Sequence, residues 1–428
     1  MSPRICVTGV WHQGSVLSAC LADLGHDVYA VADEATSNKL AAAEPPVYEP
    51  GLSEILERNL RNGRLRISTA LEEALPGAEF AFISADTPVD QKDEPDLRPI
   101  YELAHDIGSN ASSDLVLCVT AQVPVGTTAA LRTSVQDAMA AGLACEAAYV
   151  PEFLRLGTAV ATFVHADRFV VGADSRELAA RIAALYEPLG RPLVVTDVVT
   201  AEMAKHAANT FLATSISFIN EISDLCEPFG IDPAEVGRIL KLDRRIGPHA
   251  FLSPGLGYAG GTLGRELRVL QRLGRERAVG TKLIDAVMAV NNARPQLVRR
   301  RLVAALGDLS SRRIALFGLT YKAGTSTLRR AISVEIADDL VSAGAEVTAF
   351  DPLVNSDDVD QLPFALASSA YDAAAGASAV VVVTGWPQIE ELDLDRLRSL
   401  MADDVFLDTR SVWSARRLQE AGFRHLKV

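Results

Sequence analysis

Thr262 lies within a run in which five glycines fall within ten residues, positions 255–264, between two stretches of helical pattern. Glycine at that density lets a backbone approach a ligand closely or take positive φ without a Cβ clash. Arg265 and Glu266 follow at once. A second constellation is Lys205 with Asn209, four residues apart in a helical pattern and therefore on one helix face. An ammonium in a dry site stabilises negative charge that develops on oxygen. A third is Gly9-Val10-Trp11-His12-Gln13-Gly14, directly after the apolar residues 5–8. Gly9 and Gly14 occupy the first and sixth positions of a dinucleotide fingerprint, where backbone N–H groups at a helix N-terminus meet a pyrophosphate. Trp11 stands at the third position, which is normally glycine. Asp33 lies 19 residues beyond Gly14, near the ~20-residue spacing at which a carboxylate accepts ribose hydroxyls. A carboxylate there repels a 2′-phosphate, so the pattern favours NAD over NADP.

These groups need a scaffold of strands ending in turns. Short apolar runs at 27–32, 80–84, 115–119, 147–150, 169–172 and 193–196 alternate with helical patterns, which implies βαβ units and a parallel sheet. From 200 to 229 the apolar residues recur at i, i+3 and i+4, the mark of a long helix. Asp232-Pro233 opens another helix, and a further helical stretch spans 281–306. A second strand–glycine–helix opening follows at 313–318, with further strands at 346–351, 379–384 and 405–408. The fold class expected is α/β: two Rossmann-like doubly wound domains, 1–198 and 307–428, joined by a central helical domain at 199–306.

The composition fits that scheme. A chain of 428 residues, 49% hydrophobic and 22% charged, is too long for one core and has the profile of a soluble globular protein. A net charge of −14 argues against a sequence-independent grip on nucleic acid. It leaves room for anionic small ligands held by arginines and helix N-termini. The five cysteines are scattered without metal-ligand spacing, so neither a metal site nor a disulfide framework is expected, and a reducing cytoplasm is. No apolar run approaches the ~20 residues needed to cross a bilayer, and the first residues lack a signal-peptide pattern.

Colinear motifs from Gly9 to Arg410 resemble the nucleotide-sugar dehydrogenases, the family of UDP-glucose 6-dehydrogenase and UDP-N-acetylmannosamine dehydrogenase. The resemblance implies NAD, a nucleotide sugar, a homodimer built on the 200–229 helix, and a place in polysaccharide or glycoside biosynthesis. It places Asp86-Thr87-Pro88 and Gln122 beside the nicotinamide ribose, with Gln122 standing for a threonine. It makes Glu152 an assistant in thioester hydrolysis, with Phe153 and Leu154 holding the sugar nucleotide. Leu156 stands where that family has a second glutamate. Lys205 and Asn209 fall on its catalytic helix, the lysine stabilising charge on the sugar oxygen and the asparagine sharing an ordered water. Arg245 corresponds to an arginine that reaches the neighbouring subunit's substrate. Tyr258, Gly260, Lys322 and Arg410 fall in substrate-binding motifs, and Arg329 in one that meets the cofactor phosphates.

Thr262 occupies the position of that family's nucleophilic cysteine, and Arg265-Glu266 that of its Lys-Asp pair. The parent reaction oxidises a sugar C6 alcohol to a carboxylate with two NAD through a thioester. A thiol with a reference pKa of ~8.5 suits that route and a threonine hydroxyl does not. Three readings follow: a dehydrogenase that stops at the aldehyde, a complete oxidation without cysteine, and a binding protein without turnover. Retention of Lys205, Asn209 and Glu266 favours the first.

Overall fold

The computed structural model describes residues 3–88, 95–259, 262–326, 328, 330–355, 359 and 362–426. The chain forms two compact units, residues 1–207 and 208–428.

In the first unit the described residues form an eight-stranded sheet. Its strands are β1 (Arg4–Thr8), β2 (Asp27–Val31), β3 (Leu65–Ser68), β4 (Phe80–Ile83), β5 (Leu115–Val119), β6 (Cys145–Tyr149), β7 (Phe169–Ala173) and β8 (Leu193–Thr196). Their order is β3-β2-β1-β4-β5-β6-β7-β8. The chain reverses direction across the sheet between β1 and β4, the topological switch point at which open α/β sheets bind ligands. β4 and β5 are buried at every residue, because helices cover both faces. Two apolar clusters fill those faces, one around Leu17, Phe82 and Phe163, the other around Ile83, Leu117 and Tyr149. The expectation of a parallel sheet needs one correction: β7 runs antiparallel to β6, pairing Tyr149 with Gly172. An apolar strand buried on both faces carries no sign of its direction.

The second unit contains a six-stranded, wholly parallel sheet among its described residues. It is built from β9 (Arg313–Phe317), β10 (Glu346–Phe350), β11 (Ala365–Leu366), β12 (Ala379–Val382), β13 (Val405–Asp408) and β14 (Arg424–Leu426), in the order β11-β10-β9-β12-β13-β14. It repeats the switch point of the first sheet, now between β9 and β12.

The two strand–glycine openings share one physical cause. Gly9 has φ of +66°, and a Cβ there would lie 2.4 Å from the Ala85 Cβ. Gly318 has φ of +83°, and a Cβ would lie 2.4 Å from the Thr384 carbonyl oxygen. In both sheets the turn after the first strand presses on the turn after the strand across the switch point. Only glycine meets the steric and the dihedral demand together.

The expected long helix is Val198–Cys226, followed by a short 3-10 turn at Glu227–Phe229. Asp197 starts it, accepting from the Thr200 amide at 2.8 Å and the Thr200 hydroxyl at 2.6 Å. The stretch 281–306 is two helices, Lys282–Asn292 and Pro295–Leu306. Pro295 has no N–H to continue the ladder, and its ring excludes the Asn291 carbonyl that a continuous helix would place against it.

Candidate functional site

The turn at 9–14 leads into the helix His12–Asp23, whose first turn has no side-chain cap and no acidic residue. Gly14 sits so near β4 that a Cβ would meet the Ser84 hydroxyl at 2.5 Å. Trp11 does not fill the turn. The residue is 41% exposed, and its ring stands edge-on to His12, with centroids 6.4 Å apart. An uncapped helix N-terminus, a glycine held against β4 and an outward indole together fit a dinucleotide pyrophosphate. Asp33 is exposed and caps the next helix, accepting from the Thr36 amide at 2.9 Å and the Thr36 hydroxyl at 2.8 Å. Those bonds hold its carboxyl below the usual range. A carboxylate has about four acceptor positions, so ribose hydroxyls can share the group. Thr87 is fully buried and donates to the Gln122 carbonyl at 3.4 Å, while Pro88 beside it is exposed.

The loop that carries Gln122 is fixed by two residues of the long helix to which the sequence alone assigns no role. Glu202, fully buried, accepts from the amides of Gly126 at 2.6 Å and Thr128 at 2.9 Å, the start of the helix Thr127–Ala138. His206, also buried, contacts the Val123 carbonyl through Nε2 at 3.0 Å. They stand four apart, and their only trace in the sequence is two titratable side chains on the helix face turned to the core.

Lys205 lies between them. Its ammonium donates to the Glu152 carbonyl and sits 4.7 Å from the centre of the Phe153 ring. The Arg168 guanidinium contacts the same ring at 4.4 Å. Phe153 and Leu154 are half-buried. Burial pushes the Glu152 carboxyl up to about 7, against the opposing pull of Lys205. A carboxyl that titrates near neutrality beside an ammonium can exchange a proton with a substrate hydroxyl. The shift also has a stability consequence. The fold holds the Glu152 proton more tightly than the unfolded chain does, so stability falls as pH rises from about 4.5 to about 7. Glu152→Gln is therefore expected to stabilise the protein by up to about 3 kcal/mol near pH 8, and not near pH 4. Urea midpoints at the two pH values check this, and equal effects at both would contradict it.

In the second unit, Asn209 donates through Nδ2 to Glu266 Oε1 at 3.1 Å. Glu266 is fully buried and Asn209 nearly so. The glycine-rich loop is gripped by three side chains without an obvious motif. Asn220 Oδ1 accepts from the Gly255 amide at 2.8 Å. Arg294 donates to the Gly255 carbonyl from Nε at 3.1 Å and Nη2 at 2.8 Å, and pairs with Asp224 through Nη1 at 2.7 Å. Asn291 bonds both the amide and the carbonyl of Tyr258, at 2.8 and 3.0 Å. Burial pushes the Tyr258 hydroxyl up to about 12, so it stays a neutral donor. Thr262 is exposed at the N-cap position of the helix Leu263–Glu276, and its hydroxyl makes no capping bond. All five cysteines are buried and free, and burial raises the thiols of Cys6, Cys20, Cys118 and Cys145 above their ordinary range. Arg245 is exposed in a two-point pair with Asp243, Nε to Oδ1 at 3.0 Å and Nη2 to Oδ2 at 2.6 Å. Gly260 and Arg329 lie outside the described residues.

At the second switch point, Asp351 Oδ2 accepts from the amides of Leu319 at 2.8 Å and Thr320 at 2.9 Å, the Thr320 hydroxyl at 3.0 Å and Trp386 Nε1 at 3.0 Å. This acid at the end of β10 is engaged by the protein's own donors, which fixes the turn that carries Lys322. Lys322 is exposed. Arg410 donates from Nε to the Val383 carbonyl at 2.6 Å.

The chain matches the UDP-glucose/GDP-mannose dehydrogenase family in three consecutive parts: its NAD binding domain over residues 3–190, its central domain over 199–293 and its UDP binding domain over 315–415. It belongs to that family. A UDP-glucose 6-dehydrogenase of Rhizobium meliloti is 34% identical over 435 residues, covering 99% of each chain. One of Pseudomonas aeruginosa is 34% identical over 443 residues, covering 98% of this chain and 96% of the relative. Among solved structures, a UDP-glucose dehydrogenase of the archaeon Pyrobaculum islandicum superposes with a TM-score of 0.91 at 31% identity, over 97% of this chain and 96% of that one. Membership in the UDP-glucose/GDP-mannose dehydrogenase family agrees with both sheets and with the order of the motifs.

Proposed function

We propose that the protein is an NAD-dependent dehydrogenase that oxidises the C6 alcohol of a nucleotide sugar, in the first instance a UDP-sugar, and releases the aldehyde. The relatives named as UDP-glucose dehydrogenases and the match to NAD- and UDP-binding domains support the class of reaction. The observation that carries the stopping point is Thr262, exposed at a helix start with no base on its hydroxyl among the described residues.

When bound, NAD supplies the hydride acceptor. The turn at 9–14 would hold its pyrophosphate, Asp33 the ribose, and Thr87, Pro88 and Gln122 the nicotinamide side, with Arg329 reaching the phosphates. Lys205 stabilises the negative charge that grows on the sugar oxygen as its proton leaves. Glu152, poised near neutrality, takes that proton. Asn209, one turn further along the same helix, and Glu266, to which it is bonded, hold the water and the alcohol in place. Phe153, Leu154, Arg245, Tyr258, Gly260, Lys322 and Arg410 serve the nucleotide sugar. The reaction balances as one alcohol losing a hydride to NAD and a proton to the protein, leaving one aldehyde. Continuing to the acid requires a covalent trap or a hydrate, and a hydroxyl lacking an adjacent base does not form the trap at neutral pH. Incubation with NAD and a panel of UDP- and GDP-sugars tests the reading: formation of NADH with one of them is expected, and none with any would sink it.

The three family matches support the division into NAD-binding, central and UDP-binding parts near 1–198, 199–306 and 307–428. A homodimer is part of the same proposal. Phe211, Phe218 and Leu225 recur every seven residues on the long helix and are all exposed, an apolar stripe suited to a second copy of the helix. Light scattering is expected to give twice the chain mass, and Phe218→Glu to give monomers. A monomeric wild type would contradict it. The cytoplasmic location also stays a proposal, supported by the free cysteines. Among the described residues no helix is long and apolar enough to cross a membrane.

A further inference from the structure

One buried carboxylate ties together three segments that are remote in sequence. Glu49 has a fully buried side chain. Its Oε1 accepts from the Gly157 amide at 2.6 Å, and its Oε2 from the Ala159 amide at 2.9 Å. Ala159 begins the helix Ala159–Val164, and Gly157, at φ of +81°, ends the segment that carries Glu152 and Phe153. The third partner is His12, whose Nε2 lies 2.6 Å from Oε1. His12 is the first helical residue after Trp11, in the turn at 9–14. Two backbone amides already donate to Glu49, so the imidazole nitrogen is the third donor. A carboxylate taken out of water needs each of these partners, and His12 alone among the three is a side chain that sequence can change.

We infer that Glu49 is a positioning residue for the segment 151–157, and that His12 holds it in place. The dinucleotide turn and the segment that carries Glu152 are thereby set by a single side chain. A substitution in the cofactor turn then loosens the nucleotide-sugar segment even when no cofactor is bound. The identity of the ligands rests on the function proposed above; the coupling between the segments does not.

Amide hydrogen exchange on the full chain without NAD tests the coupling. His12→Leu is expected to speed exchange at Gly157 and Ala159 by about tenfold, the loss of one charge-assisted bond. His12→Gln, whose amide nitrogen takes the place of Nε2, is expected to stay within about twofold of wild type. Calorimetry with UDP-glucose, again without NAD, is expected to show about tenfold weaker binding for His12→Leu and near-wild-type binding for His12→Gln. Unchanged exchange in a folded His12→Leu protein would overturn the inference. So would equal acceleration in both variants, which would report lost bulk, or faster exchange with UDP-glucose affinity unchanged. If His12→Leu does not fold, His12→Asn, too short to reach Glu49, replaces it in the comparison. A wild type that binds no UDP- or GDP-sugar would count against the proposed function, and the exchange data would still decide the coupling.

Discussion

Lys205→Met is expected to lower kcat by about 10²–10³-fold, the cost of removing one preorganised charge from a developing oxyanion. The KM for NAD should change little, because the ammonium rests on the Glu152 carbonyl and the Phe153 ring, not in the turn at 9–14. The pH profile adds a check that a purely structural role would not give. In the wild type, kcat/KM should rise with pH through about 7 as Glu152 ionises. Lys205 is the charge that favours the ionised carboxylate, so without it the rise moves to higher pH. Glu152→Gln removes the rise altogether. Steady-state rates across the neutral range separate these outcomes. A Lys205→Met enzyme with unchanged kcat would remove the ammonium from the mechanism.

Thr262→Cys is expected to change the product and not merely the rate. Position 262 is the exposed N-cap of the fourteen-residue helix Leu263–Glu276. A helix N-terminus favours an anion, and thiols placed there have depressed pKa values. A cysteine at this position would ionise readily and add to the aldehyde carbon; that carbon would then give up the second hydride, leaving a thioester from which water releases the acid and the thiol. Acid formation should rise by on the order of 100-fold, with two reduced nicotinamides per sugar in place of one. The first oxidation should keep its rate, since Lys205, Asn209 and Glu266 are untouched. Stability should hold within about 0.5 kcal/mol, as for most exposed positions. Unchanged stoichiometry in a folded Thr262→Cys protein would mean that more than the nucleophile has been lost.

Much of the scaffold is legible in the sequence because its signals are local. Gly9 and Gly318 each follow an apolar run and precede a helical pattern, and the structure shows the close approach that makes glycine necessary at both. The strands missing from the sequence reading, β3, β11 and β14, all lie at sheet edges. There a strand buries few residues, and charged side chains such as Arg66 and Arg424 break the apolar run. The break at Pro295 was written in the chain, yet the apolar periodicity on both sides concealed it. The candidate site divides in the same way. Lys205 and Asn209 declare themselves by helical spacing. Glu49, Glu202, Asn291 and Arg294 do not, because their partners lie 33 to 110 residues away and no local pattern records the pairing. Asp33 shows a further limit. Spacing marks it for the ribose, but only the structure reveals that it also caps the following helix.

The most direct test of an oxidation that stops at the aldehyde is the stoichiometry of the wild-type reaction. The protein is run to completion on a limiting UDP-sugar with excess NAD and an aminooxy trap for carbonyls. One NADH per sugar, with the sugar recovered as the oxime of its 6-aldehyde, is the predicted result. Two NADH per sugar and a uronate product would contradict it.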